Sequence, residues 1–235
     1  MNRKKWCNWF RSRKHKKYSK RLKAERIKNK KLVKKYPWLK PYQHFRKRHL
    51  DSKYDYSYLN WGFTYGWDIA FGDMFMRELG EAVKEQKGFG ILQTKEKYGI
   101  LCCYTTGTTQ EVNDIINKYE HISQHVCVIC GKPDVPMLNT GWVSPQCFAC
   151  FVKNRQRYKP IDIEELWEQY NKLAEKRGED GWKIPNTYSY TRWDKDNNKE
   201  IVTHDVSETV KAVRERYEKR SKKYDKRVLR NKHTT

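Results

Sequence analysis

The stretch that most limits what this chain can become is Cys127 to Cys150, where two Cys-x-x-Cys pairs stand sixteen residues apart. Each pair is short enough to place two thiolates on one ion from a single tight turn. Gly131 directly follows the first pair, where a left-handed residue closes such a turn and leaves its amides facing sulfur. Four thiolates complete a tetrahedron and leave no position for water or substrate. The spacing therefore predicts one structural zinc ion per chain, held by Cys127, Cys130, Cys147 and Cys150. Two disulfides or four free thiols are the alternatives, and the paired spacing favours metal over both. The pattern argues for a metal and is silent on function.

A chain of 235 residues can form one large domain or two small ones. Hydrophobic residues make up 37% and charged residues 34%, too polar a mixture for one core spanning the whole chain. Sixteen tyrosines and nine tryptophans offset part of that deficit, because aromatic rings bury the most area per residue. No apolar run nears the ~20 residues that cross a bilayer, so no membrane partner is expected. The basic stretch 1–10 lacks the apolar segment of an export signal. Cysteines spent in metal-type pairs suit a reducing, cytoplasmic setting.

The net charge of +23 is unevenly placed. Residues 1–50 carry 21 Lys or Arg against one acid, Glu25. Residues 51–207 carry 19 basic and 23 acidic side chains, and residues 208–235 carry 11 and 4. The expected organisation is a basic arm over 1–50, disordered or partly helical, then an α+β core over 51–207 with a zinc module at 127–158. A basic helix or tail over 208–235 follows. In the arm, Arg3, Lys4, Lys5, Arg11, Arg13, Lys14, Lys16, Lys17, Lys20 and Arg21 are candidate phosphate contacts. Trp6 and Trp9 among them offer rings on which bases stack. A solubilising tail, or an arm docking on an acidic protein, would have the same composition.

Within the core, Ile69, Phe71, Met74, Phe75, Leu79 and Val83 recur at helical steps, with Asp68 at the helix start favouring its exposed amides. Two strands are expected around Tyr98-Gly99, and adjacent Cys102 and Cys103 then face opposite ways, one buried and one exposed. Lys95, Glu96 and Lys97 form a solvated face or a functional surface. Thr109 precedes a helix over about 111–124, whose His121 and His125 are packing residues because four cysteines already fill the metal. A hairpin around Gly141 and a helix from Cys147 complete a treble-clef-like order: knuckle, hairpin, helix. Another helix is expected over 161–177, then strands over 187–193 and 200–203. Asp205 and Glu208 have capping-box spacing and open a last helix, which frays into a tail from Arg214.

The arrangement prompts the question of catalysis. Treble-clef nucleases add a histidine and further polar ligands for a catalytic metal, yet between Cys130 and Cys147 there is no histidine and one acid, Asp134. No phosphate-binding glycine loop, nucleophile elbow or His-Glu-x-x-His is present.

Asp55-Tyr56-Ser57-Tyr58, Gly66-Trp67, Gln93-Thr94-Lys95-Glu96-Lys97-Tyr98-Gly99, Cys127-x-x-Cys130-Gly131-Lys132-Pro133 and Gly141-Trp142-Val143-Ser144-Pro145-x-Cys147-x-x-Cys150 stand out together. This set resembles a group of uncharacterised bacteriophage and prophage proteins of Gram-positive bacteria, over roughly residues 54–150. The resemblance implies a phage origin, the host cytoplasm and bound zinc, and it supplies no activity. In that group an arginine and an aromatic often follow the Lys-Glu-Lys-Tyr-Gly turn; Cys102, Cys103 and Tyr104 occupy that region here. The leading expectation is a non-catalytic zinc-stapled module whose basic ends bind DNA or RNA. An adaptor or inhibitor docking on a host protein comes second, and an unrecognised metal-dependent enzyme third.

Overall fold

The computed structural model describes residues 27, 30–40, 42–43, 48–49, 64–156, 162–175, 182–193 and 199–232. Among the described residues the fold is α+β: helices packed with four separate two-stranded antiparallel ribbons rather than one continuous sheet.

Residues 30–35 are helical, and Pro37–Leu39 forms a 3-10 turn. A short ribbon pairs β1, Tyr42–Gln43, with β2, Arg48–His49. Helix α1, Tyr65–Trp67, runs through a π-helical stretch, Asp68–Gly72, into α2, Asp73–Ala82. Thr64 caps this run, its Oγ1 accepting from the Trp67 amide at 3.4 Å. The helix thus starts earlier than the apolar steps suggest, and the capping role expected of Asp68 belongs to Thr64. Trp67, Phe71, Phe75 and Leu79, every fourth residue, are wholly buried.

Strands β3, Gly90–Lys97, and β4, Ile100–Thr106, form the expected hairpin. Its two turn residues, Tyr98 and Gly99, have φ of 52° and 82°, the mirror-type turn whose twist matches paired strands. The outer edge of β4 is not left open. The Leu101 amide donates to Ser123 Oγ at 2.9 Å, and the Cys103 amide to Glu120 Oε1 at 3.0 Å. Both acceptors lie on α3, Gln110–Ser123, capped by Thr109. Side chains of a neighbouring helix thereby satisfy an edge that would otherwise recruit another strand.

After the metal knuckle come β5, Met137–Asn139, β6, Val143–Pro145, and the helices α4, Phe148–Arg155, and α5, Ile163–Glu175. Leu138, Phe151, Leu166, Tyr170 and Ala174 close a small cluster of their own beside the knuckle. The last ribbon pairs β7, Thr187–Trp193, with β8, Lys199–Asp205. Helix α6, Ser207–Lys232, ends the described chain.

Two expectations need correcting. Val33 and Leu39, within the span read as a disordered or partly helical basic arm, are buried in the main core at 6% and 0% exposure. Isolated apolar residues among lysines carry no periodic signal, but two side chains suffice to plug a gap. The last helix does not fray at Arg214: it continues to Lys232. Arg214 pairs with Asp134 and Arg216 with Asp73, which hold its first turns to the body. Asp205 does assist the helix start, accepting from the Ser207 amide at 2.8 Å.

Candidate metal centre

Both cysteine pairs converge. The sulfurs of Cys127, Cys130, Cys147 and Cys150 all lie within 4.8 Å of one another, with Cys130 and Cys147 at 3.6 Å. Four sulfurs at ~2.3 Å from one ion stand ~3.8 Å apart, so the cluster already has nearly the size of a metal tetrahedron. Cys127, Cys147 and Cys150 are buried, and Cys130 is half-buried. The four sulfurs cannot divide negative charge among themselves. Contacts from Cys130, Cys147 and Cys150 pull the Cys127 thiol down, while those from Cys127, Cys130 and Cys147 push Cys150 up. A divalent cation resolves that conflict by taking all four as thiolates. The donor set fits a structural metal ion.

The backbone explains why the pairs fold this way. The Gly131 amide donates to the Cys127 carbonyl at 2.9 Å, and the Cys127 amide to the Lys132 carbonyl at 2.9 Å, closing the first knuckle. The second pair sits at the start of α4, where the Cys150 and Phe151 amides both donate to the Cys147 carbonyl. Pro145 of β6 accepts from the Val128 amide at 3.0 Å, tying the hairpin to the first knuckle.

A remote segment clamps the assembly. The Gly66 amide donates to the Val128 carbonyl at 2.9 Å, and Trp67 Nε1 to the Val126 carbonyl at 3.0 Å. A Cβ on Gly66 would stand 1.9 Å from the Cys127 carbonyl oxygen, and one on Gly131 2.6 Å from the Gly66 carbonyl oxygen. Two glycines therefore let α1 lie directly on the knuckle backbone. The sequence motif Gly66-Trp67 was visible, but sixty residues separate it from its target and nothing local names the partner.

Lys95, Glu96 and Lys97 are now assigned separately. Glu96 accepts from the Gly99 amide through Oε1 at 2.5 Å and from Trp142 Nε1 through Oε2 at 3.1 Å. It joins the β3–β4 turn to the β5–β6 turn. Lys95 and Lys97 lie over the rings of Tyr104 and Tyr98. His121 stacks on Tyr188, and His125 faces His121; neither joins the sulfur cluster. Burial lowers the basicity of both imidazoles. Cys102 and Cys103 face opposite ways: Cys103 packs on the main core beside Thr94 and Cys102 does not, although each keeps some exposed surface.

The arm residues Arg3, Lys4, Lys5, Trp6, Trp9, Arg11, Arg13, Lys14, Lys16, Lys17, Lys20 and Arg21 lie outside the described residues. So does the Asp55-Tyr56-Ser57-Tyr58 motif. Among the described residues, no helix is long and apolar enough to cross a membrane. Compared with family models, curated proteins and solved structures, the chain matches none.

Proposed function

We propose that the protein is a non-catalytic binding module, stapled by one zinc ion, that engages DNA or RNA through its basic ends. The observation that carries this reading is the placement of charge. Residues 1–50 hold 21 basic side chains and one acid, while the body between the ends is nearly balanced. Helix α6 adds a second basic element, with Lys211, Lys219, Arg220, Lys222 and Lys223 exposed along it. Such charge neutralises phosphates and releases their counterions. An all-thiolate, closed donor set suits zinc among the divalent ions, and the knuckle, hairpin and α4 follow treble-clef order. The resemblance to phage proteins supports a bacteriophage origin and a place in the host cytoplasm.

The test is a salt titration of binding to matched DNA and RNA ligands. With roughly 6–8 phosphate contacts, log affinity for duplex DNA falls against log salt with a slope of about −5 to −7. Deleting residues 1–26, which spares the buried Val33, flattens the slope and weakens all sequences alike, since phosphate contacts carry no base information. No binding at low salt overturns the reading.

One observation favours a second reading, docking on a host protein. Tyr98 and Trp142 are 68% and 65% exposed where the two hairpin turns meet, and exposed aromatics are enriched at protein interfaces. Such a complex would survive nuclease treatment of infected cells; a complex bridged by nucleic acid would not.

A further inference from the structure

Far from the sulfur cluster, a cavity of about 560 Å³ opens between the 3-10 turn and the end of α2. That volume lies in the range of small-molecule sites, ~300–1,000 Å³. Its lining combines positive charge with aromatic rings. Lys35, Lys40 and Lys84 supply positive charge, against Glu81 as the one acid in the lining. Tyr36 and Trp38 supply half-buried rings, 5.7 Å apart between centroids. Gln86 also lines the cavity, its side chain held by a hydrogen bond from Nε2 to the Gly107 carbonyl. Gly80 of α2 makes room: a Cβ there would stand 3.2 Å from Tyr36 and 3.5 Å from Trp38 Nε1.

We infer that this cavity binds one nucleotide unit, with the base against Tyr36 and Trp38 and the phosphate among Lys35, Lys40 and Lys84. Rings hold a base by its π-face, and the lysines neutralise phosphate. The inference deepens the nucleic-acid reading, since the basic arm leads directly into this turn. The same chemistry is offered by a free nucleotide or by one nucleotide of a single strand.

The experiment titrates full-length, metal-loaded protein with adenosine monophosphate and, separately, with a short 5′-phosphorylated oligodeoxyadenylate. Both should bind, the mononucleotide displacing the strand end. Lys84→Glu and Trp38→Leu should each weaken the mononucleotide about tenfold, the loss of one charged hydrogen bond or one stack. Lys153→Glu, the same charge change on α4, should leave it unchanged. Lys84 is exposed, so its variant folds even where Trp38→Leu does not. Absent mononucleotide binding, or a Lys84→Glu protein that binds it like wild type, overturns the cavity whatever the arm does. Mononucleotide binding without strand binding keeps the cavity, assigns it to a free nucleotide and overturns the nucleic-acid reading instead.

Discussion

Arg214 grips Asp134 through both carboxylate oxygens, Nε to Oδ2 and Nη2 to Oδ1, each at 2.9 Å. Asp134 also accepts from the Ile184 amide at 2.8 Å, and its own φ is 57°. One acid next to the first knuckle thus fastens both the last helix and the segment leading into β7.

Replacing Arg214 with leucine should cost about 1–2 kcal/mol, the scale of charged hydrogen bonds discounted for a half-exposed pair. The pH dependence has a definite sign. Burial raises the Asp134 carboxyl, but its bonds to Arg214 and the Ile184 amide outweigh that and hold it below the ordinary range. A depressed folded value means stability present above the unfolded pKa, ~3.9, and lost as pH falls through the folded one. The stability gap between wild type and Asp134→Asn should therefore be full at neutral pH and close below pH ~4. A gap that persists in acid refutes the assignment.

Metal removal should undo the fold locally and measurably. Native protein should carry one zinc by elemental analysis, and Cys127→Ser or Cys147→Ser should lose it with a large fall in Tm. In zinc-finger peptides about 10 kcal/mol or more of binding energy is folding energy. Cys102→Ser and Cys103→Ser should keep the metal, as should Cys7→Ser.

Gly66→Ala tests the clamp. Its methyl would collide with the Cys127 carbonyl, so the cost should reach about 3 kcal/mol, the upper range of overpacking. Zinc affinity, read by competition with a chromogenic chelator, should fall although no ligand has changed. Unaltered affinity and Tm would show that α1 does not press on the knuckle.

A chain starting at Asp51 should melt well below one starting at residue 27. It lacks Val33 and Leu39, each worth about 1.5–3 kcal/mol when buried. Equal melting temperatures for the two would place the core boundary after residue 50.

Alkylation of the metal-loaded protein should separate the vicinal thiols. Burial pushes Cys103 up to about 12; burial and the Glu120 carboxylate also raise Cys102, but Lys97 and Lys95 work against them and the rise is smaller. Mass spectrometry at pH ~8 should find Cys102 modified first.

The parts legible in the sequence were those with a local signature. Cysteine spacing placed four sulfurs in one cluster, and Tyr98-Gly99 marked its hairpin because the turn demands positive φ. The apolar steps of α2, α3 and α5 gave their helices. What escaped was long-range. Gly66 and Trp67 act on a backbone sixty residues away, Glu96 on Trp142, and Asp134 on Arg214, where any acid and any base look alike on the page. Asp134, the lone acid between the cysteine pairs, has its partner on the last helix.

The clamp has a consequence for how the chain is made. During synthesis Gly66 and Trp67 leave the ribosome long before Cys127, and Arg214 follows Cys150 by sixty-four residues. The main core that carries Trp67 also draws on Ile184, Val206, Val210 and Val213, so the seat for the knuckle is complete only when the last helix has joined it. A nascent chain that ends before Arg214 therefore holds all four ligand cysteines with neither the latch on Asp134 nor a finished seat.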